Sequence, residues 1–268
     1  MLMKKITIIG GDKRLQKVKE RLLKEGFTVD TLGLYEGDKG DISTSQFLIF
    51  PVPTTKDGIN VYTPLTDAKI ALEDISGKIV GNQLILSCNY IFENKKCVDY
   101  GSLDSYALLN AVPTAEGAIK IAVENTGFTL WKSRCLVIGY GRVGKVLANR
   151  LKAFGCDVTV TARKPSDLSL ADTLGFNYIN TEDLNYAKLD FDIIFNTVDV
   201  KVVDDEKLKD TKCALIIDLA THYGISLEAA EKQGIKTIKA SGLPSKVAPE
   251  TAAEILSKTI IHIINSYN

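Results

Sequence analysis

Gly139-Tyr140-Gly141-Arg142-Val143-Gly144 decides how the rest of the chain is read, because of what flanks it. Before it, Cys135-Leu136-Val137-Ile138 is a short apolar, β-branched run, the pattern of a buried strand. After it, Val143, Leu147, Leu151 and Phe154 recur at helical spacing, and Gly155 stops the pattern. A second strand is expected over residues 157–161. A Gly-x-Gly-x-x-Gly string alone is weak evidence. Strand, glycines, helix and second strand in that order predict a dinucleotide-binding turn. Gly139 permits the tight turn, Gly141 lets a pyrophosphate approach the backbone, and Gly144 lets the helix pack closely on the strand. Tyr140, Arg142 and Val143 complete the expected contact set, with the helix N-terminus offering N–H groups to phosphate.

The end of the second strand bears on which dinucleotide binds. NAD-preferring sites usually carry an acid there, which takes the ribose 2′-hydroxyl. Here the segment is Thr161-Ala162-Arg163-Lys164, with no acid. Without a carboxylate to repel a 2′-phosphate, Arg163 can meet it with a planar pair of donors while Lys164 adds a point charge. NADP is the expected cofactor. The alternative is that Arg163 and Lys164 form a solvated loop.

Composition bounds the rest. The 268 residues suit two domains, 45% are hydrophobic, and the formal net charge is zero. A neutral chain with scattered cations gives no support for nucleic-acid binding. The five cysteines are isolated and form no CxxC, which fits free thiols in a cytoplasm and neither a disulfide framework nor a metal site. The apolar runs 6–9 and 260–264 are too short for a signal-peptide core or a bilayer span.

Strands are expected over residues 5–9, 27–32, 47–50 and 84–87, with a weak one near 97–100. A helix carries Leu15, Val18 and Leu22 on one face. The Gly10-Gly11-Asp12 turn lacks the second and third fingerprint glycines, so it reads as a tight turn with Asp12 as N-cap rather than a second nucleotide site. Pro113 is expected to open a helix that Gly127 ends. Three more strands are expected over 193–196, 214–218 and 236–240, and Pro249 starts a long terminal helix. The expected fold is α/β: two Rossmann-like parallel-sheet domains joined by two crossing helices. An N-terminal domain covers 1–110, a linking helix 111–127, an NADP-binding domain 128–244, and a helix returning to the first domain 245–268. Such a plan predicts closure of the domains on a ligand.

Ligands of open parallel sheets bind beyond the carboxyl ends of the strands. That rule adds Asn196, Thr197 and Val198, then Asp218, Leu219 and Ala220, to the expected cofactor contacts. His222 falls on a strand-end loop, where a group titrating near neutrality can exchange a proton. Glu116, in the expected first turn after Pro113, is a second candidate for proton transfer; its plain alternative is helix-dipole stabilisation and an i,i+4 pair with Lys120. A loop histidine without chemistry is the alternative for His222.

Several strings are more particular. Asn110-Ala111-Val112-Pro113-Thr114-Ala115-Glu116-Gly117-Ala118, the Gly139 fingerprint, Ile217-Asp218-Leu219-Ala220 and Gly242-Leu243-Pro244-Ser245-Lys246-Val247-Ala248-Pro249-Glu250 occur in this order. With the opening Ile8-Ile9-Gly10-Gly11-Asp12-Lys13-Arg14, the whole chain resembles the dipicolinate synthase A subunits. The resemblance implies oxidation of a dihydrodipicolinate-type intermediate of the lysine pathway to pyridine-2,6-dicarboxylate with NADP+, in the cytoplasm of the sporulating mother cell. It also implies a partner, the flavoprotein-like B subunit, and a homo-oligomer is expected. One departure matters. The family has a basic stretch with proline and glycine after Asp-Leu-Ala, whereas Thr221-His222-Tyr223-Gly224 follows here; this puts the role of that loop's arginine in question and makes His222 its candidate substitute. For a dicarboxylate substrate, Asn110, Thr114 and Lys246 are the expected carboxylate holders, because two of them stand at expected helix starts. Two other readings stay open: a D-2-hydroxyacid dehydrogenase-like oxidoreductase of the same two-domain plan, and an NADP-binding regulatory subunit without chemistry. Neither the clamping arginine nor the Glu–His pair of the former stands at the expected places.

Overall fold

The computed structural model describes residues 4–221 and 224–267. Its first sheet is parallel, with strands β1 (Lys5–Ile9), β2 (Thr28–Leu32), β3 (Phe47–Ile49), β4 (Leu84–Ser87) and β5 (Cys97–Asp99) in the spatial order β2-β1-β3-β4-β5. Parallel strands need crossovers that cover both faces, so their residues are apolar on both sides. Accordingly Ile6 and Ile8 face one cluster with Leu15, Val18 and Leu22, while Ile9, Leu48 and Ile85 face another with Leu72 and Ile75. The first helix, α1 (Lys13–Lys24), is capped by Asp12, whose carboxylate accepts the Arg14 N–H at 2.9 Å. The second, α2 (Leu72–Lys78), lies between β3 and β4 in the chain.

The third helix, α3, runs over Asp104–Asn125 with Pro113 inside it. The sequence-based expectation that Pro113 opens this helix is therefore corrected. Ala107, Leu108 and Leu109 are strong helix formers, and core burial of Ala115, Ala118 and Ala122 offsets the lost N–H donor and the ring clash that Pro113 brings. Thr114 consequently stands in a helix interior, not at a helix start.

The second sheet is also parallel, in the order β11-β10-β9-β6-β7-β8. Its strands are β6 (Arg134–Ile138), β7 (Asp157–Ala162), β8 (Asn177–Asn180), β9 (Ile193–Asn196), β10 (Leu215–Asp218) and β11 (Lys236–Lys239). Between them lie α4 (Arg142–Ala153), α5 (Pro165–Thr173), α6 (Asp205–Lys209) and α7 (Leu227–Glu231), and α8 (Leu243–Val247) follows β11. Cys135 and Val137 pack on Leu147, Ala148 and Leu151 of α4 and on Ala115, Ala118 and Ala122 of α3. Leu136 and Ile138 face the opposite layer with Ile194, Leu208 and Ala230.

The chain divides into a unit of residues 1–110 and 248–268 and a unit of residues 111–247. Residues 111–125 belong with the second sheet because the small side chains of α3 are buried in its core. The last helix, α9 (Pro249–Ser266), belongs with the first unit, where Leu256 and Ile260 join Leu15, Val18 and Leu22. All five cysteines are free. Among the described residues no helix is long and apolar enough to cross a membrane.

Candidate dinucleotide site

The second sheet grows outward in both directions from the β6/β9 boundary, and ligands of such sheets bind at that switch point. The Gly139 turn follows β6 there, and Thr197-Val198 follows β9. Gly139 has φ +96°, and a Cβ on it would stand 2.6 Å from both Thr197 Oγ1 and Val198 Cγ1. A Cβ on Gly144 would stand 2.0 Å from the Gly139 carbonyl oxygen. These two glycines are demanded by the protein itself. Gly141 is not: its φ is −82°, and a Cβ there would meet nothing within 4 Å. Glycine at 141 is a favoured helix N-cap and leaves the backbone open to close approach by a ligand. As N-cap of α4, Gly141 also leaves the first turn without a capping side chain, so its N–H groups suit an anion.

The turn is held from below. The Gly139 N–H donates to Thr161 Oγ1 at 3.0 Å, and Thr197 Oγ1 donates to the Ile138 carbonyl at 2.9 Å. Thr161 thus braces the turn from the cavity wall, its oxygen taken by the Gly139 N–H. Tyr140 is buried with its ring edge-on to Phe176, and burial pushes its phenol pKa up. Its hydroxyl is, among the described residues, the one fully buried side-chain polar atom without a partner.

In front of the turn lies a cavity of about 590 Å³ lined by Gly139, Gly141, Ala162, Arg163, Lys164 and Val198, among others. Arg163 and Lys164 are exposed at its rim, and among the described residues neither side chain has a hydrogen-bond or ion-pair partner. The cavity wall also includes Asp167, Thr181, Asp199, Val200 and Val202, which the sequence reading missed. Asp167, in the first turn of α5, is the acid nearest in sequence to the β7 end, and Lys145 Nζ holds it at 2.8 Å. These residues are polar or apolar singletons on helix and loop, with no spacing that marks them in advance.

Asn196 and Asp218 are fully buried, which corrects their expected contact with the cofactor. Asn196 Nδ2 donates to Asp218 Oδ1 at 2.8 Å and to the Val198 carbonyl at 2.9 Å. Lys239 Nζ pairs with Asp218 Oδ2 at 2.7 Å, and the Ala220 N–H donates to Asp218 Oδ1 at 3.1 Å. Their role is to shape the strand ends that carry Thr197 and Val198. Leu219 and Ala220 likewise lie outside the cavity lining.

Glu116, Thr114 and Lys246 are not among the residues that line this cavity. Glu116 is exposed and accepts from Arg150 Nη2 at 3.3 Å, while Lys120 pairs with Glu124 instead. Arg150 stands eight residues beyond the start of α4, roughly 12 Å along the helix, so Glu116 sits at the end away from the Gly139 turn. That placement removes it as a proton-transfer group beside the cofactor. Lys246 Nζ donates to the Ser241 carbonyl at 2.9 Å. Asn110 and Thr114, both half-buried in α3, have partners of their own. His222 lies outside the described residues. Among those residues no cluster is arranged to hold a metal ion.

Residues 5–103 match the family model for the N-terminal domain of the dipicolinate synthase A subunit. Residues 114–211 match the D-isomer specific 2-hydroxyacid dehydrogenase NAD binding domain. The dipicolinate synthase A subunit of Bacillus subtilis (strain 168) is 31% identical over 284 aligned positions, which cover 97% of this chain and 95% of that protein. The crystal structure of the Bacillus halodurans dipicolinate synthase A subunit superposes with a TM-score of 0.87 at 28% identity, covering 98% of both chains. The apo-structure of D-lactate dehydrogenase from Escherichia coli superposes with a TM-score of 0.63 at 15% identity, over 97% of this chain and 96% of that one; it shares the fold.

Proposed function

The chain belongs to the family of dipicolinate synthase A subunits, and from that premise we propose that it oxidises a dihydrodipicolinate-type intermediate of the lysine pathway to pyridine-2,6-dicarboxylate with NADP+. The dehydrogenase-type nucleotide domain supports a nicotinamide cofactor. The observation that carries the choice of NADP is Arg163, at the cavity rim beyond a strand end without an acid and with no partner among the described residues.

Gly139, Gly141 and the first turn of α4 would hold the pyrophosphate, and Arg163 with Lys164 the 2′-phosphate. NAD is disfavoured because Asp167, the acid that would take a 2′-hydroxyl, is engaged by Lys145. A bound nicotinamide would supply the hydride acceptor for the ring carbon, and a proton would leave the ring as it becomes aromatic. Aromatisation supplies its own driving force, so the protein's part is chiefly to orient the ring and accept that proton. We assign the proton acceptor to His222 on sequence grounds. A B subunit would complete the enzyme in the cytoplasm of a sporulating cell.

The test is NADP+ reduction by the full chain with freshly formed intermediate, with and without the B subunit. NADPH formation exceeding NADH formation is the expected result. No reduction of either cofactor under both conditions contradicts the proposal; reduction of NAD+ alone contradicts the cofactor assignment.

A further inference from the structure

The first unit has its own switch point, between β1 and β3, since its order is β2-β1-β3-β4-β5. The string Gly10-Gly11-Asp12-Lys13-Arg14 leaves β1 at that point, and no role so far has absorbed its arginine. Arg14 is buried, with only 7% of its surface exposed. Its Nε donates to both Asp12 oxygens at 3.0 Å, and its Nη2 donates to Asp12 Oδ2 and to the Val52 carbonyl, each at 2.8 Å. Val52 lies in the segment that leaves β3, so the guanidinium bridges the two strand ends of the switch point.

Nη1 is left over. Among the described residues it has no hydrogen-bond partner, and the same is true of the Tyr106 hydroxyl. Tyr106 is 4% exposed, stacks edge-on against Tyr100 at 5.6 Å, and lies close enough to Arg14 and Asp12 to feel their charges. The neighbouring Tyr100 hydroxyl, by contrast, donates to the Phe50 carbonyl at 2.8 Å. Neither Nη1 nor the Tyr106 hydroxyl is a sealed orphan, because the Tyr140 hydroxyl alone fills that class among the described residues. Both atoms therefore reach the unit's surface. Burial raises the Tyr106 phenol pKa, which keeps it a donor at neutral pH. In the free protein water is the acceptor open to these two donors, and both are already fixed in place, so a ligand oxygen that displaces it gains hydrogen bonds at little ordering cost.

We propose that Arg14 Nη1 and the Tyr106 hydroxyl form a carboxylate-binding subsite, which takes one carboxylate of the substrate and product. Asp12 fixes the guanidinium plane, so the remaining edge of Arg14 is preorganised for an oxygen acceptor. This assignment rests on the dicarboxylate reading above.

The experiment is calorimetric titration of the full chain with pyridine-2,6-dicarboxylate in the presence of NADP+, and again in the presence of the B subunit. Tyr106→Phe removes a hydroxyl that has no partner among the described residues, so the melting temperature should hold while affinity falls roughly tenfold. Arg14→Lys keeps a cation for Asp12 but loses the second edge, and affinity should fall further, with NADP affinity unchanged in both variants. Wild-type binding that both folded variants match overturns the subsite and leaves the dicarboxylate reading standing. No binding of the dicarboxylate by the wild type under either condition, with NADP still bound, overturns both.

Discussion

Two glycine turns follow two first strands in this chain, and only one of them is shaped for a dinucleotide. At the first, Gly10 and Gly11 adopt φ +66° and +115°. A Cβ on Gly10 would stand 2.7 Å from Val61 Cγ1 and 2.8 Å from the Tyr62 carbonyl oxygen, which accepts the Gly11 N–H at 2.9 Å. The helix that follows is capped by the Asp12 carboxylate. This turn supplies its own anion and its own acceptor. At the second, Gly141 faces open space and α4 begins with no capping side chain. Glycines alone therefore do not make a phosphate site. What separates the turns is whether the protein has already satisfied the helix end.

That contrast can be broken by substitution. The largest effect is expected at Gly144, where a Cβ would overlap the Gly139 carbonyl oxygen. Gly144→Ala should cost about 4 kcal/mol of stability, at the upper end for single substitutions. Thermal unfolding followed by circular dichroism checks this, and an unchanged melting temperature contradicts the packing described. A smaller and sharper effect separates the two turns directly. Gly141→Ala adopts an ordinary φ, so the melting temperature should hold while NADPH affinity falls by ~1–3 kcal/mol, the cost of forcing an extra carbon into a close contact. Gly11→Ala should do the reverse, losing stability through a strained φ and a clash with Leu15 while cofactor affinity stays intact. Equal effects of the two substitutions on affinity would erase the distinction.

The β-branched runs between glycines made most strands legible, since burial on both faces needs apolar residues throughout. The strand β8 was not, because an edge strand reading Asn177-Tyr178-Ile179-Asn180 is polar and half-exposed. The start of α3 escapes the sequence because proline at a first turn is the commoner arrangement, and spacing does not reveal that a helix continues through it. The Gly139 turn and the Arg163 rim were readable since local order dictates both. The partners of Glu116, Asp218 and Arg14 were not, because Arg150, Lys239 and Val52 are distant in the chain and meet them only through packing. Asn196 and Asp218 show the limit most clearly. Standing at strand ends, they looked like ligand contacts, yet a buried polar group must be satisfied, and these two satisfy each other.

The proposed binding of NADP at the open turn through Arg163 is tested most directly by calorimetric titration of the wild type and Arg163→Glu with NADPH and NADH. The account predicts that the wild type prefers NADPH and that the substitution weakens NADPH binding by ~1.5–3 kcal/mol while barely changing NADH. Equal affinity of the wild type for both cofactors, or equal losses for both in the variant, would contradict it.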